Sequence, residues 1–155
     1  MLRLSKKADY ALIAMAHLAQ KPGSASAREI AEKYEIPTEL MAKVLQRLAR
    51  RGLLSSQQGA RGGYQLAHAA AGISVADVIQ AIDGPVSVTA CSAHGDRCGQ
   101  FAKCNVRDPL WRISDIILSA LARTSVSELA SDVTVPAPLA AAIKPVRVVA
   151  SSVRA

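Results

Sequence analysis

Aromatic side chains are scarce in this sequence: they make up 3% of its 155 residues, although half of the residues are apolar. Any core must therefore be built from alanine, leucine, isoleucine and valine, and the length suffices for one core with an appendage. Cysteine is scarce too, and three cysteines cannot all pair, which argues against a secreted disulfide scaffold. Apart from a proline-interrupted stretch near the C-terminus, no uncharged apolar run is long enough to cross a membrane, so no membrane partner is expected. Asp9, Tyr10 and His17 interrupt the apolar run at residues 8–19, which argues against a secretory signal and predicts a cytoplasmic protein.

Acidic residues are missing from the end of the chain, and the basic surplus lies at its two ends. Lys and Arg outnumber Asp and Glu by 11 to 5 in residues 1–68, are outnumbered 5 to 7 in residues 69–132, and stand at 3 to none in residues 133–155. The net charge of +7 favours an anionic partner such as nucleic acid. We expect residues 133–155, rich in Val, Ala and Pro, to form a largely disordered tail.

Serine caps predict two helices at the start of the chain. Ser5 caps the first helix, which we expect to end near Gln20. Ser26 and Glu29 have the spacing of a capping box, in which each side chain satisfies a free backbone N–H of the other residue. They predict a short second helix that ends near Tyr34.

A third helix is predicted from Ile36-Pro37 to Gly52, and a glycine-rich hairpin follows it. Short strands are expected at residues 53–58 and 64–66. This order of elements is that of a winged helix-turn-helix, so the predicted fold class is mainly α with a small β-wing, and residues 1–68 form the DNA-binding domain. The buried stripe of the third helix is predicted to contain Leu40, Val44, Leu45 and Leu48.

With that stripe inward, the opposite face of the third helix is available to double-stranded DNA. A helix-turn-helix places its second helix in the major groove, where residues near the N-terminus of that helix reach base edges. Basic side chains further along contact phosphates, which position the protein without reading sequence. The candidate DNA contacts are Thr38, Glu39 and Lys43 for base edges, Arg47 and Arg50 for phosphates, and Arg61, at the hairpin tip, for the minor groove.

Residues 69–132 are predicted to hold a short helix capped by Ser74, a loop at 91–105 and a long helix at 106–123. The long helix is apolar on two sides, so one side can pack on its own domain and the other on a partner. We therefore expect a homodimer in which this helix is the dimerisation helix. A last short helix opens at Ser125.

The three cysteines, Cys91, Cys98 and Cys104, fall in the loop among small and polar residues. Structural zinc uses four ligands, usually with closer cysteine pairs, and a disulfide would leave one cysteine over. Three thiolates in one loop suit an iron–sulfur cluster, because iron takes soft sulfur ligands. From spacing alone, a cluster, a zinc site or thiol redox sensor, and inert cysteines all remain open.

Two further motifs indicate a family. Residues 1–11, MLRLSKKADYA, and residues 59–66, GARGGYQL, resemble the opening and the wing of the Rrf-two family of bacterial transcription regulators, which includes IscR, NsrR and RirA. The three-cysteine loop before a long helix with Trp111 completes the resemblance, which covers residues 1–132. The opening is most similar to the branch of SUF-system iron–sulfur assembly regulators.

The resemblance implies a homodimer whose affinity for promoter DNA is set by a [2Fe–2S] or [4Fe–4S] cluster held by the three cysteines. In IscR-like members a histidine three residues after the last cysteine is the fourth ligand, but Arg107 stands there in this sequence. In NsrR-like members an acidic residue on the first helix, from the partner subunit, is the fourth ligand, and Asp9 matches that position. His94 and Asp96 are local alternatives.

The alternative function is a cluster-free repressor that senses oxidants through its cysteine thiols. An enzyme is not expected, because no arrangement of nucleophile and base and no phosphate-binding loop is present in the sequence. No small-molecule substrate is predicted. His17 is expected to lie in the core, and His68 follows the wing.

Overall fold

The computed structural model describes residues 4–59, 62–86 and 99–131. These residues form six α-helices and one two-stranded antiparallel sheet. The predicted class, mainly α with a small β-wing, is confirmed. No helix in these ranges combines the length and apolar character needed to cross a membrane. The elements are α1 (Lys6–Gln20), α2 (Ala27–Lys33), α3 (Thr38–Arg50), β1 (Leu54–Gln57), β2 (Gly63–Leu66), α4 (Val75–Asp83), α5 (Arg107–Arg123) and α6 (Val126–Ala130).

Serine caps begin four of these helices, as the sequence predicted. The Ser5 side chain accepts a hydrogen bond from the Ala8 N–H, and Ser74 and Ser125 form full capping boxes at α4 and α6. At α2 only one of the two hydrogen bonds of the predicted capping box forms. Ser26 accepts from the Glu29 N–H, but the Glu29 carboxylate pairs with Lys21 instead of turning back to Ser26. The bond from Lys21 lowers the pKa of that carboxyl.

The buried face of α3 differs by one residue from the predicted stripe. Val44, Leu45 and Leu48 are buried as expected, but Met41 and not Leu40 completes the set. Leu40 is half-buried at the edge of the helix. The flexible methionine side chain fills the core position one residue further along, and it is fully buried.

The wing is the hairpin of β1 and β2 with the residues between them. Leu54 pairs with Leu66 at its base and Gln57 pairs with Gly63 near its tip. Tyr64 exchanges two backbone hydrogen bonds with Ala25, of 2.8 and 3.0 Å, and these bonds fix the wing to the link between α1 and α2. A β-carbon on Gly63 would lie 2.5 Å from the Ala25 carbonyl oxygen, so this pairing requires glycine.

Among the described residues, a hydrophobic core joins the helix-turn-helix to the elements that follow it. Helix α1 contributes fully buried alanines together with Met15 to this core. Ile73, Val78 and Val126, from beyond residue 68, are buried in the same cluster. The division into domains at 1–68 and 69–132 remains a prediction, and the predicted tail at 133–155 lies outside the described residues.

Helix α5 contributes little to this core. Ser114 is its one buried residue, while Trp111, Ile113 and Ile116 are 40%, 47% and 67% exposed. The helix forms where the sequence predicted it, starting at Arg107. Its apolar side chains lie largely on the surface of the single chain.

Candidate nucleic-acid interface and cluster site

A tight turn between α2 and α3 sets the angle of the predicted DNA-reading helix. Glu35 adopts a left-handed conformation with φ of 53°, and the Ile36 N–H donates to the Ala31 carbonyl over 2.9 Å. Ile36 is buried, and Pro37 then stands before the first residue of α3. Because Ile36 and the Met41 face are held in the core, the opposite face of α3 is turned to solvent.

All five candidate DNA contacts on α3 lie on that exposed face. Thr38, Glu39 and Lys43 are exposed in the first half of the helix, and Arg47 and Arg50 are exposed in the second half. The structure therefore places them together, with the base-reading candidates nearer the helix N-terminus.

The two arginines also make intramolecular hydrogen bonds that the sequence did not predict. The Arg47 Nε donates to the Ala81 carbonyl of α4 over 3.0 Å, and the Arg50 Nε donates to the Gln46 carbonyl over 3.4 Å. Each bond uses one of the five guanidinium N–H groups and orients the side chain. Arg47 thus links the candidate DNA-reading helix to α4.

Two basic residues beside this face were missed by sequence reasoning. Lys7 of α1 lines a groove of about 170 Å³ together with Lys43, and Arg51 lines a neighbouring groove of about 370 Å³ with Arg47 and Arg50. Arg51 could have been found from its place beside Arg50. The position of Lys7 follows from the packing of α1 beside α3, which local sequence does not reveal.

Arg61, the candidate at the hairpin tip, lies outside the described residues. The described glycines around it show why the tip is glycine-rich. Gly59 has a φ of +120°, and a β-carbon on Gly62 would lie 2.5 Å from the Gln57 carbonyl oxygen.

Of the predicted cluster ligands, Cys104 and Asp9 are described, and Cys91 and Cys98 lie outside the described residues together with the alternatives His94 and Asp96. Cys104 follows a single 3₁₀ turn, Phe101–Lys103, and its thiol is free and half-buried. Asp9 is exposed in the first turn of α1, and its carboxylate has no hydrogen-bond partner among the described residues. Within residues 4–59, 62–86 and 99–131, no three metal-ligating side chains come together.

Arg107, at the position where IscR-like members have a histidine, takes part in a packed aromatic group. Its guanidinium lies 4.6 Å from the centroid of the Phe101 ring and 5.5 Å from that of Trp111. Its Nε donates to Asp108 over 2.8 Å, and its Nη1 donates to the Phe101 carbonyl over 3.2 Å. A guanidinium has no lone pair for a metal, so this residue fixes the turn beside Cys104 and is not a ligand.

Comparisons with known proteins identify one family of transcriptional regulators and several similar proteins described as regulators. Residues 4–132 match the family described as "Rrf2: Iron-dependent Transcriptional regulator". The HTH-type transcriptional regulator IscR of Photorhabdus laumondii is 35% identical over 139 residues, which are 84% of this chain and 80% of that protein.

Two solved structures are similar over most of the chain. CymR, described as the global cysteine regulator of B. subtilis, superposes with a TM-score of 0.71 at 30% identity, covering 86% of this chain and all of the other. IscR of T. potens has a TM-score of 0.65 at 26% identity and covers 83% of this chain and 85% of its own.

Proposed function

Because the chain belongs to the Rrf2 family of transcriptional regulators, we propose that it is a homodimeric, sequence-specific DNA-binding regulator whose DNA affinity is set by an iron–sulfur cluster. Its targets would be genes of iron–sulfur assembly or of iron and redox stress, and its place would be the cytoplasm. The observation that carries the DNA-binding part is the exposed face of α3, on which all five candidate contacts lie together.

On DNA, α3 would enter the major groove with its N-terminal half against the bases. Thr38 can donate or accept, Lys43 can donate to guanine, and Glu39 can accept from the amino group of cytosine. Arg47 and Arg50 would contact phosphates with the guanidinium N–H groups left free by their backbone hydrogen bonds. Arg61 would extend the contact into the minor groove.

The donor types of the two described candidate ligands fit the proposed cluster. Cys104 offers a free thiol, and Asp9 offers an exposed carboxylate without a partner among the described residues. Together with Cys91 and Cys98 they would supply three sulfur ligands and one oxygen ligand, with Asp9 reaching the loop of the other subunit. When bound, a cluster supplies reactivity toward oxygen, nitric oxide and one-electron oxidants.

The connection to DNA would run through α4. Its last turn is bonded to Arg47 of α3 by the Ala81 carbonyl and to the start of α1 by Asp83, whose Oδ1 accepts from the Ser5 Oγ over 2.7 Å. In the sequence, Cys91 follows Asp83, the last residue of α4, by eight positions. A coupling free energy of about 1–3 kcal/mol between loss of the cluster and DNA binding would change the affinity for DNA about 5- to 150-fold, enough to switch a promoter.

Anaerobic purification with absorbance, iron and sulfide measurements tests the cluster. We expect a coloured protein containing iron and sulfide, and Asp9→Ala should make the cluster less stable to air than it is in the wild type. Asp115→Ala, a substitution of an exposed aspartate on α5, is the control. A colourless, iron-free protein that takes up no cluster on reconstitution would contradict the proposal.

The second candidate function is a cluster-free thiol sensor. The free thiol of Cys104 favours it, and so does the similarity to Staphylococcus aureus CymR, of which a structure described as an oxidized form is known. Replacing the three cysteines by serine separates the two functions. A thiol sensor would lose its response to oxidants and would never have contained iron, whereas a cluster protein would lose its colour and its iron.

A further inference from the structure

A cation-lined groove lies between the start of α1, the outer face of α3 and the end of α4. Its volume is about 170 Å³. Val44 and Ile82 are its buried apolar lining residues. The lining residues are Lys7, Leu40, Lys43, Val44, Arg47, Arg50 and Ile82.

Four of these seven side chains are cations and none is acidic. Among the described residues, the ion pairs are Lys21–Glu29, Arg28–Glu32 and Arg107–Asp108, so none of the four cations has a carboxylate partner there. Asp83, next to Ile82 in the chain, accepts hydrogen bonds from Ser5 instead. The groove therefore combines concentrated positive charge with no counter-charge of its own, as a binding site for an anion requires.

We propose that this groove binds a DNA backbone phosphate and that Lys7 is a DNA-contacting residue of α1. The inference rests on the proposed DNA-binding function. Lys43, Arg47 and Arg50 belong both to the groove and to the exposed face of α3. A phosphate contacted by Arg47 and Arg50 would therefore lie at the groove, and Lys7 bounds the groove from a different helix.

The chemistry of the lining selects a phosphate group. Arginine forks form paired hydrogen bonds to phosphate oxygens, and lysine adds a compact charge that a flexible stem can place. Such contacts hold the backbone and do not read bases, so Lys7 should strengthen binding to every sequence equally. Its role differs in this way from that of Thr38 and Glu39, the base-edge candidates that do not line the groove.

The test compares Lys7→Gln with Lys6→Gln in the full-length dimer. Both lysines are exposed in the first turn of α1, but Lys6 does not line the groove. Glutamine removes the charge and keeps a comparable helix propensity. DNA affinity is measured against salt concentration for a duplex selected from a random-sequence library and for a scrambled duplex.

Lys7→Gln should weaken binding to both duplexes by the same factor. It should also make the negative slope of log affinity against log salt shallower, by about 0.9 for each DNA-binding domain or about 1.8 for the dimer. Lys6→Gln should leave the slope unchanged. A wild-type slope in Lys7→Gln would overturn the inference, whereas a wild-type protein that binds neither duplex would overturn the proposed function itself.

Inorganic phosphate distinguishes DNA from a free anion as the occupant. Melting temperatures of wild type and Lys7→Gln are compared in phosphate and in chloride at equal ionic strength. Phosphate could stabilise the wild type alone while the two proteins have the same slope of log DNA affinity against log salt. The groove would then bind a free anion and not DNA, and the inference would be wrong.

Discussion

At the scale of single residues, His17 shows how burial sets the chemistry of a side chain. Its exposure is 5%, which confirms the prediction that it belongs to the core. The Nδ1 atom lies 3.3 Å from both the Lys33 Nζ and the Tyr34 Oη, and the Nε2 atom has no hydrogen-bond partner among the described residues. Burial first, and then the charge of Lys33, lower the pKa of the imidazole from its ordinary value of 6.5.

The lowered pKa of His17 predicts that acid destabilises the fold. The unfolded chain takes up a proton as pH falls through 6.5, while the folded chain does not until its lower pKa is reached. The histidine contribution is therefore fully present above pH 6.5 and is lost below it. Urea unfolding between about pH 8 and pH 5.5 should show a falling free energy of unfolding.

Two variants check the assignment to His17. His17→Leu should flatten this dependence, because the variant has no imidazole at that position to be protonated. His68→Gln removes an exposed histidine and should keep the wild-type dependence. An equal pH dependence in His17→Leu and in the wild type would assign the effect to other groups.

The sequence predicted the hydrogen bonds of side chains well where the bonded partners are close in the chain. The Ser5, Ser74 and Ser125 caps depend on residues three positions away, and all three form. Glu29 failed as a capping-box residue because Lys21, in the preceding link, competes for its carboxylate. Its partner depends on how the link folds back, which the local pattern does not contain.

At the scale of elements, the wing depends on its backbone pairing with the link between α1 and α2. Gly63→Ala would place a methyl group 2.5 Å from the Ala25 carbonyl oxygen, a backbone atom that cannot move aside alone. We expect a loss of about 1–3 kcal/mol in the free energy of unfolding, as for other overpacked sites. Weaker DNA binding should follow, because the wing would shift from the face of α3.

Gly72→Ala is the matched control for the wing. No atom lies within 4 Å of a β-carbon built there, and its backbone conformation is not left-handed. It should be neutral or stabilise by about 0.4–1 kcal/mol, because alanine restricts the unfolded chain. Thermal unfolding that affects both variants alike would show that the contact with Ala25 is not what matters.

Elements were predicted more completely than the surfaces they form. The period of apolar residues predicted α3 and its exposed face, yet it favoured Leu40 over Met41 because adjacent positions differ by only about 100° around a helix. Lys7 was missed for a larger reason. It joins Lys43 in one groove only after α1 packs beside α3, more than thirty positions further along the chain.

At the scale of the whole molecule, α5 is the element that the single chain leaves unfinished. The core crosses from α1 to Val126 and encloses Ile73 and Val78, but α5 adds only Ser114 to the buried set. The sequence predicted two apolar sides on this helix. The proposed homodimer would bury the exposed apolar side, and burial is favourable because association removes apolar surface from water.

Ile116→Glu tests that dimer, since Ile116 is 67% exposed on the apolar side of α5 and contributes little to the core. A charge there must be buried without a partner if α5 meets its copy, so dissociation should increase while the chain still folds. Ala122→Glu adds the same charge at an exposed position about 240° further around the helix and should leave the dimer intact. Sedimentation measures the association, and circular dichroism checks the fold of each variant.

Loss of the dimer should also change DNA recognition. Two DNA-binding domains must be held together to bind half-sites one helical turn apart, so the Ile116→Glu monomer should also lose preference for the selected duplex over the scrambled one. A folded Ile116→Glu dimer of wild-type affinity would place the interface elsewhere, and the two copies of α3 would then have a different spacing on DNA.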